Sequence, residues 1–116
     1  MNTGQIKTQE QNGVVVFVVA GYFEGNAGKQ LKAFVDERVR GGKLRFVLDL
    51  SECRVINSLG VAAVLEVSVK VTDDHRGRLV LTGLDVTKTS VFSLAGIIPY
   101  LQVAKNLAEA VRLAAA

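Results

Sequence analysis

One cysteine, one histidine, one proline and no tryptophan occur in the 116 residues, and each scarcity removes a class of function. A single cysteine closes no internal disulfide, and one cysteine with one histidine is too small a set for an intrachain zinc site. Nothing in the sequence marks His75 as a base for Cys53, so Cys53 is expected to be a small, semi-buried side chain and not a nucleophile. Gly21, Gly25 and Gly28 lack the G-x-G-x-x-G spacing, and no glycine-rich loop ends in Lys-Ser or Lys-Thr, so neither dinucleotide nor phosphate-loop chemistry is indicated. The longest apolar stretch, Val14 to Ala20, is far too short to span a bilayer. Met1-Asn2-Thr3-Gly4-Gln5 lacks the charged start and apolar run of a secretion signal, so a cytoplasmic protein with no membrane insertion is expected. The formal charge of +3 comes from bases scattered among acids, as in Lys32, Asp36, Glu37, Arg38 and Arg40. Without a basic run or a series of stacking aromatics, direct nucleic-acid binding is not expected.

What is present suits one globular domain over residues 1–116: the chain is 49% hydrophobic and 22% charged, enough apolar material for a single core. Ile6 to Gln9 and Val14 to Ala20 read as strands joined at Asn12-Gly13, a dipeptide that supplies the positive φ angles of a tight hairpin. Asn26 is placed to cap a first helix with Ala27, Leu31, Phe34, Val35 and Val39 on its apolar face, ended by Gly41-Gly42. Leu44 to Leu50 is a nearly continuous apolar run, as expected of a strand covered on both faces. A short loop around Cys53 and Arg54 follows, and then Val61, Val64, Leu65, Ser68 and Thr72 recur at helical spacing on one face. Leu79 to Thr82 reads as a strand, and Asp85 as the cap of a helix through Ala95 that Pro99 prevents from running on. Tyr100 to Val103 is expected to complete the sheet. A last helix starts at Asn106, with Glu109 placed to reach back in a capping box. Strands alternating with helices after an opening hairpin imply an α/β domain with a mixed, mainly parallel sheet of about five strands and about four helices.

The junction between strand and helix at Ser58 is the candidate site. Asn57 or Ser58 is the natural N-cap there, and the free N–H groups and positive dipole end of a helix start favour an acceptor oxygen, a phosphate still more. The alternative is that both residues only cap the helix.

The run Asp49-Leu50-Ser51 followed by Asn57-Ser58-Leu59-Gly60-Val61 resembles the STAS domains of bacterial anti-sigma factor antagonists, in which Asp-Leu-Ser is followed by Asp-Ser-Ser-Gly-Leu opening a helix. Gly21-Tyr22-Phe23-Glu24 is similar to the family's turn after its second strand, and Gly77-Arg78-Leu79-Val80-Leu81-Thr82-Gly83-Leu84 to its later glycine-bounded strand. Leu94-Ala95-Gly96-Ile97 and Asn106-Leu107-Ala108-Glu109-Ala110 resemble its third and final helices. Asn57 stands where the family commonly has Asp, Leu59 replaces the second Ser, and Glu24 occupies a further position that is usually acidic.

The resemblance implies a non-enzymatic switch in transcription regulation. Its unphosphorylated form would bind an anti-sigma factor with serine kinase activity and so release a sigma factor. Phosphorylation of Ser58 would end the binding, and a serine phosphatase would restore it. Glu24, Asn57, Leu59, Gly60 and Val61 are then the partner-binding residues, with Leu59 either exposed to the partner or turned into the core. The nucleotide belongs to the partner, so neither cofactor, metal nor catalytic residue is expected. No heptad seam or long unpaired apolar strand is visible, which suits a monomer or weak dimer. The alternative with the same fold is a scaffold subunit of a stressosome-like or lipid-transport complex. A phospho-receiver using Asp49 fits less well, since Glu24 is a single acid and Lys105 is loosely placed.

Overall fold

The computed structural model describes residues 4–116, and all structural statements refer to these. Its elements run β1 (Gln5–Gln11), β2 (Val14–Phe23), α1 (Gly25–Arg40), β3 (Arg45–Asp49), β4 (Cys53–Ile56), α2 (Ser58–Val69), β5 (Arg78–Thr82), α3 (Val86–Leu94), β6 (Gln102–Val103) and α4 (Leu107–Ala115). The strand order is β1-β2-β3-β5-β6, and β4 also pairs with β2. The hairpin β1-β2 is antiparallel and every other pairing is parallel. Asn12 and Gly13 take φ values of 52° and 76°, the left-handed pair that a two-residue hairpin turn requires.

The consecutive valines of β2 are explained by burial on both faces. Val15, Phe17 and Val19 join Phe46, Leu48, Leu79 and Leu81 under α1, α2 and α3, and Phe17 stacks against Phe34 and Phe46 with ring centroids 6.3 and 5.9 Å away. Val14, Val16 and Val18 point the other way, with Val47 and Val80, onto Ala110, Val111 and Ala114 of α4. Strand side chains alternate, so a run with no polar member needs a layer on each side.

Three local expectations change. The segment read as a loop around Cys53 is strand β4, which takes the place beside β2 that β3 leaves; a register shift between Gly21 and Tyr22 lets one strand serve both neighbours. The last strand is only Gln102–Val103, because Ile98–Tyr100 forms a 3-10 turn with Pro99 at its start. Thr72 leaves the buried helical face because Lys70–Asp74 widens into a π-helical turn, where the Thr72 hydroxyl donates to the Ser68 carbonyl at 2.6 Å. The box at the last helix is also displaced by one residue: Asn106 accepts from the Glu109 N–H at 2.8 Å, while the Glu109 carboxylate accepts from the N–H of Lys105 at 3.0 Å.

Candidate functional site

Parallel strands β2 and β4 end together, Phe23 opposite Ile56, and the helices that follow them begin there side by side. Their first residues form one corner of the molecule. Asn57 is the N-cap of α2: its Oδ1 accepts from the Gly60 N–H at 3.0 Å, and its own N–H donates to the Phe23 carbonyl at 3.1 Å. Its side-chain amide also donates to the Tyr22 hydroxyl at 3.4 Å, so Asn57 is tied to β2 by main chain and side chain together. Ser58 is therefore not the cap. It is the first residue of α2, exposed, with no acidic residue in that first turn.

Glu24, not Asn26, caps α1. Its two carboxylate oxygens accept from the N–H groups of Ala27 at 3.0 Å and Asn26 at 3.1 Å, which places Asn26 within the helix. The longer acid reaches both amides from two residues earlier, a choice that preference tables favouring Asn do not signal. The family-like acid at this position thus has a structural occupation of its own.

Around Ser58 the neighbours divide. Leu59 is 60% exposed and leans over Gly25, where an added side chain would begin 3.1 Å from a Leu59 methyl. Val55, on β4, is 56% exposed and adds a second apolar surface at this corner. Gly60 and Val61 turn inward: Val61 belongs to the core under α1, and Gly60 faces the Phe23 carbonyl and Ile56. Of the five neighbours proposed from sequence, Leu59 is the one that presents a large side chain to solvent. Glu24 and Asn57 are partly buried as caps.

Two features were not visible in the residue pattern. Lys88, in α3, is buried although charged, and its ammonium donates to Asp85 at 3.1 Å. Asp85 also caps α3, and the Lys88 backbone N–H followed by its side chain holds the Asp85 carboxyl below the usual range. Burial pushes the Cys53 thiol up, against the opposing charge of Lys88, and its Sγ contacts the Val55 carbonyl at 3.4 Å. Asp49, the alternative acyl-phosphate acceptor, is buried, with Oδ1 accepting from the Ser51 N–H at 2.9 Å. That carboxylate closes a turn and offers no open face to a phosphodonor. No described helix is long and apolar enough to cross a membrane.

Comparison with known proteins gives a family model, STAS domain, over residues 5–110. No curated protein matches the chain. Among solved structures, an anti-sigma factor antagonist from Mycobacterium paratuberculosis is similar at a TM-score of 0.83 and 16% identity, covering 97% of this chain and 94% of that one. An RsbS variant of Moorella thermoacetica gives 0.81 and 16%, with 95% and 94% covered. A sulfate transporter family protein from Wolinella succinogenes gives 0.76 and 22%, with 88% and 84% covered. At these identities the likeness is one of fold.

Proposed function

Because this chain belongs to the STAS domain family, we propose that it is an anti-sigma factor antagonist whose unphosphorylated form binds an anti-sigma factor with serine kinase activity. The observation that carries this reading is the position of Ser58, exposed at the first turn of α2 while Asn57 does the capping. A hydroxyl free of a structural task can be modified without loss of the fold. The helix start supplies N–H groups and a favourable dipole for the phosphate.

The antagonist acts as a binding module, not a catalyst, and brings no cofactor. Leu59 and Val55 supply apolar contact beside Ser58, and a phosphate adds roughly −1.5 to −2 charge in the middle of it. Desolvating that charge against an apolar partner surface opposes binding, so the phosphorylated form dissociates. A phosphatase acting on the exposed ester resets it. Glu24 and Asn57 contribute by fixing the two helix starts that carry the surface.

Copurification from the native host, followed by intact mass and site mapping, tests the proposal. An ATP-binding kinase partner with phosphate on Ser58 supports it. Membrane transporter components or a multi-subunit scaffold, with Ser58 never modified, would replace it with the scaffold role.

A further inference from the structure

At the opposite end of the sheet from Ser58, three chain reversals meet around an open basin of about 420 Å³. The hairpin turn contributes Gly13, the loop between α1 and β3 contributes Gly42, Lys43 and Arg45, and the loop into β5 contributes Arg76 and Arg78. Four of these are cations, and no acidic side chain lines the basin. The topology is the cause: β3 and β5 are parallel and adjacent, so Arg45 and Arg78, each the first residue of its strand, stand opposite one another in register. The basin lies the length of α2 away from Ser58, about 18 Å for 12 residues.

Two of the cations have structural work. Arg45 donates to the main-chain oxygens of Ala114 and Ala116 at 2.9 and 2.7 Å, and Arg78 donates to that of Leu113 at 3.4 Å, so both brace the end of α4. Lys43 pairs with Glu10 at 3.0 Å across the rim. Arg76 makes no ion pair or hydrogen bond from its side chain among the described residues, and its backbone is held in the left-handed region at φ 55°. A non-glycine residue there is uncommon, and such strain concentrates at ligand clamps and turns. Gly13 and Gly42 have nothing within 4 Å of where a side chain would start, so the mouth stays clear. The backbone N–H groups of Lys43, Gly77 and Arg78 already donate to Arg38, Val71 and Leu44, which leaves recognition to the charged side chains.

We propose that this basin binds a phosphate-bearing anion, with Arg76 and Lys43 as its principal contacts and Arg45 and Arg78 supplying field from behind. Guanidinium and ammonium groups converging on one open volume suit an oxyanion of two or more charges. A soluble phosphorylated small molecule and a lipid headgroup share this chemistry, and the source is separable by experiment.

The test is titration of the full chain with pyrophosphate, followed by amide chemical shifts and calorimetry, and in parallel with phosphatidylcholine vesicles with and without a phosphoinositide. Saturable pyrophosphate binding that shifts Gly42, Lys43, Arg76 and Gly77 but not Ser58 to Gly60 assigns a soluble ligand. Binding only to phosphoinositide vesicles assigns a headgroup. Arg76→Gln and Lys43→Gln each weaken binding at least about fivefold, and Glu10→Gln, which frees Lys43, strengthens it. Lys29→Gln, a cation on the outer face of α1, leaves it unchanged. The proposal is overturned if neither ligand binds by about 10 mM, far weaker than a specific site, or if the Arg76 and Glu10 variants bind as the wild type does. Ser58→Ala serves as a further control and leaves the basin's affinity as it was, whatever the role of Ser58.

Discussion

A side chain on Gly60 would begin 2.4 Å from the carbonyl oxygen of Phe23, the same oxygen that accepts the Asn57 N–H at 3.1 Å. Helix α2 therefore meets strand β2 backbone to backbone, and the close approach is what lets Asn57 bridge the two. The sequence places Gly60 among the partner-binding residues, whereas a side chain added there would meet β2 inside the molecule.

Gly60→Val should therefore cost about 1–3 kcal/mol of stability, the usual range for overpacking a filled site. Chemical denaturation measures it as a lowered midpoint with an unchanged slope. A midpoint equal to that of the wild type would mean that β2 and α2 separate without cost.

The two residues at the helix start should behave oppositely. Asn57→Ala removes the cap and the Tyr22 bond and should lose about 0.5–2 kcal/mol. Ser58→Ala, at an exposed site without a cap bond, should stay within about 0.5 kcal/mol of the wild type. Thermal melts of the pair at one pH decide it: equal losses would show that the cap is shared.

Much of this was legible in the sequence because burial on both faces leaves an unmistakable mark. The valines of β2 and the Phe46 to Leu48 run admit no solvent-facing alternation, and Asn12-Gly13 states its turn directly. The capping site was located to within one residue, and Asn57 as against Ser58 turned on hydrogen bonds that spacing does not encode. Strand β4 was missed for a physical reason. Cys53 to Ile56 has a single partner, β2, and carries exposed Arg54 and Val55, so it lacks the apolar density of the central strands. The Glu24 cap was missed because a glutamate reaches two amides only once the chain has turned at Gly25.

The Cys53 thiol predicts the alkaline side of the stability curve. Burial raises its folded value above the ordinary 9.0 while Lys88 pulls the other way. The unfolded chain then ionises first, so the contribution is intact below that ordinary value and declines as pH rises toward the folded one. Cys53→Ala should flatten that decline in denaturation curves taken on either side of this window. Thiol labelling at neutral pH should be slow in the native protein and fast in denaturant; rapid native labelling would contradict the burial.

Asp85 predicts the acidic side with the opposite sign. Its carboxyl is lowered from 3.8, first by the Lys88 backbone N–H and then by the Lys88 side chain, so the cap contributes above that value and fades as pH falls through the folded one. Asp85→Asn keeps an oxygen for the Lys88 amide and removes the titration. The variant should therefore show a shallower loss of α3 protection below about pH 4, the ordinary carboxyl range, in hydrogen exchange. An unchanged slope would place the acid sensitivity elsewhere.

The proposed switch depends on charge at Ser58 and not on shape alone. Ser58→Glu and Ser58→Asp carry part of a phosphate's charge at the same first turn, where the helix dipole tolerates it, so circular dichroism and melting should stay close to the wild type. Binding to the kinase partner should fall by at least about tenfold, or roughly 1.4 kcal/mol, because Leu59 and Val55 would have to desolvate that charge against the partner. Asn57→Asp supplies the complementary measurement. Its carboxylate retains the acceptor for the Gly60 N–H, so the cap survives, while the donor to Tyr22 is lost. If an acid beside the hydroxyl is what the kinase reads, phosphate transfer from ATP to Ser58 should rise in this variant. Calorimetric titration and transfer assays on the same preparations separate the two effects. Acidic variants that bind as tightly as the wild type, with no phosphate reaching Ser58 in any background, would leave the corner as a structural cap and the domain as a scaffold.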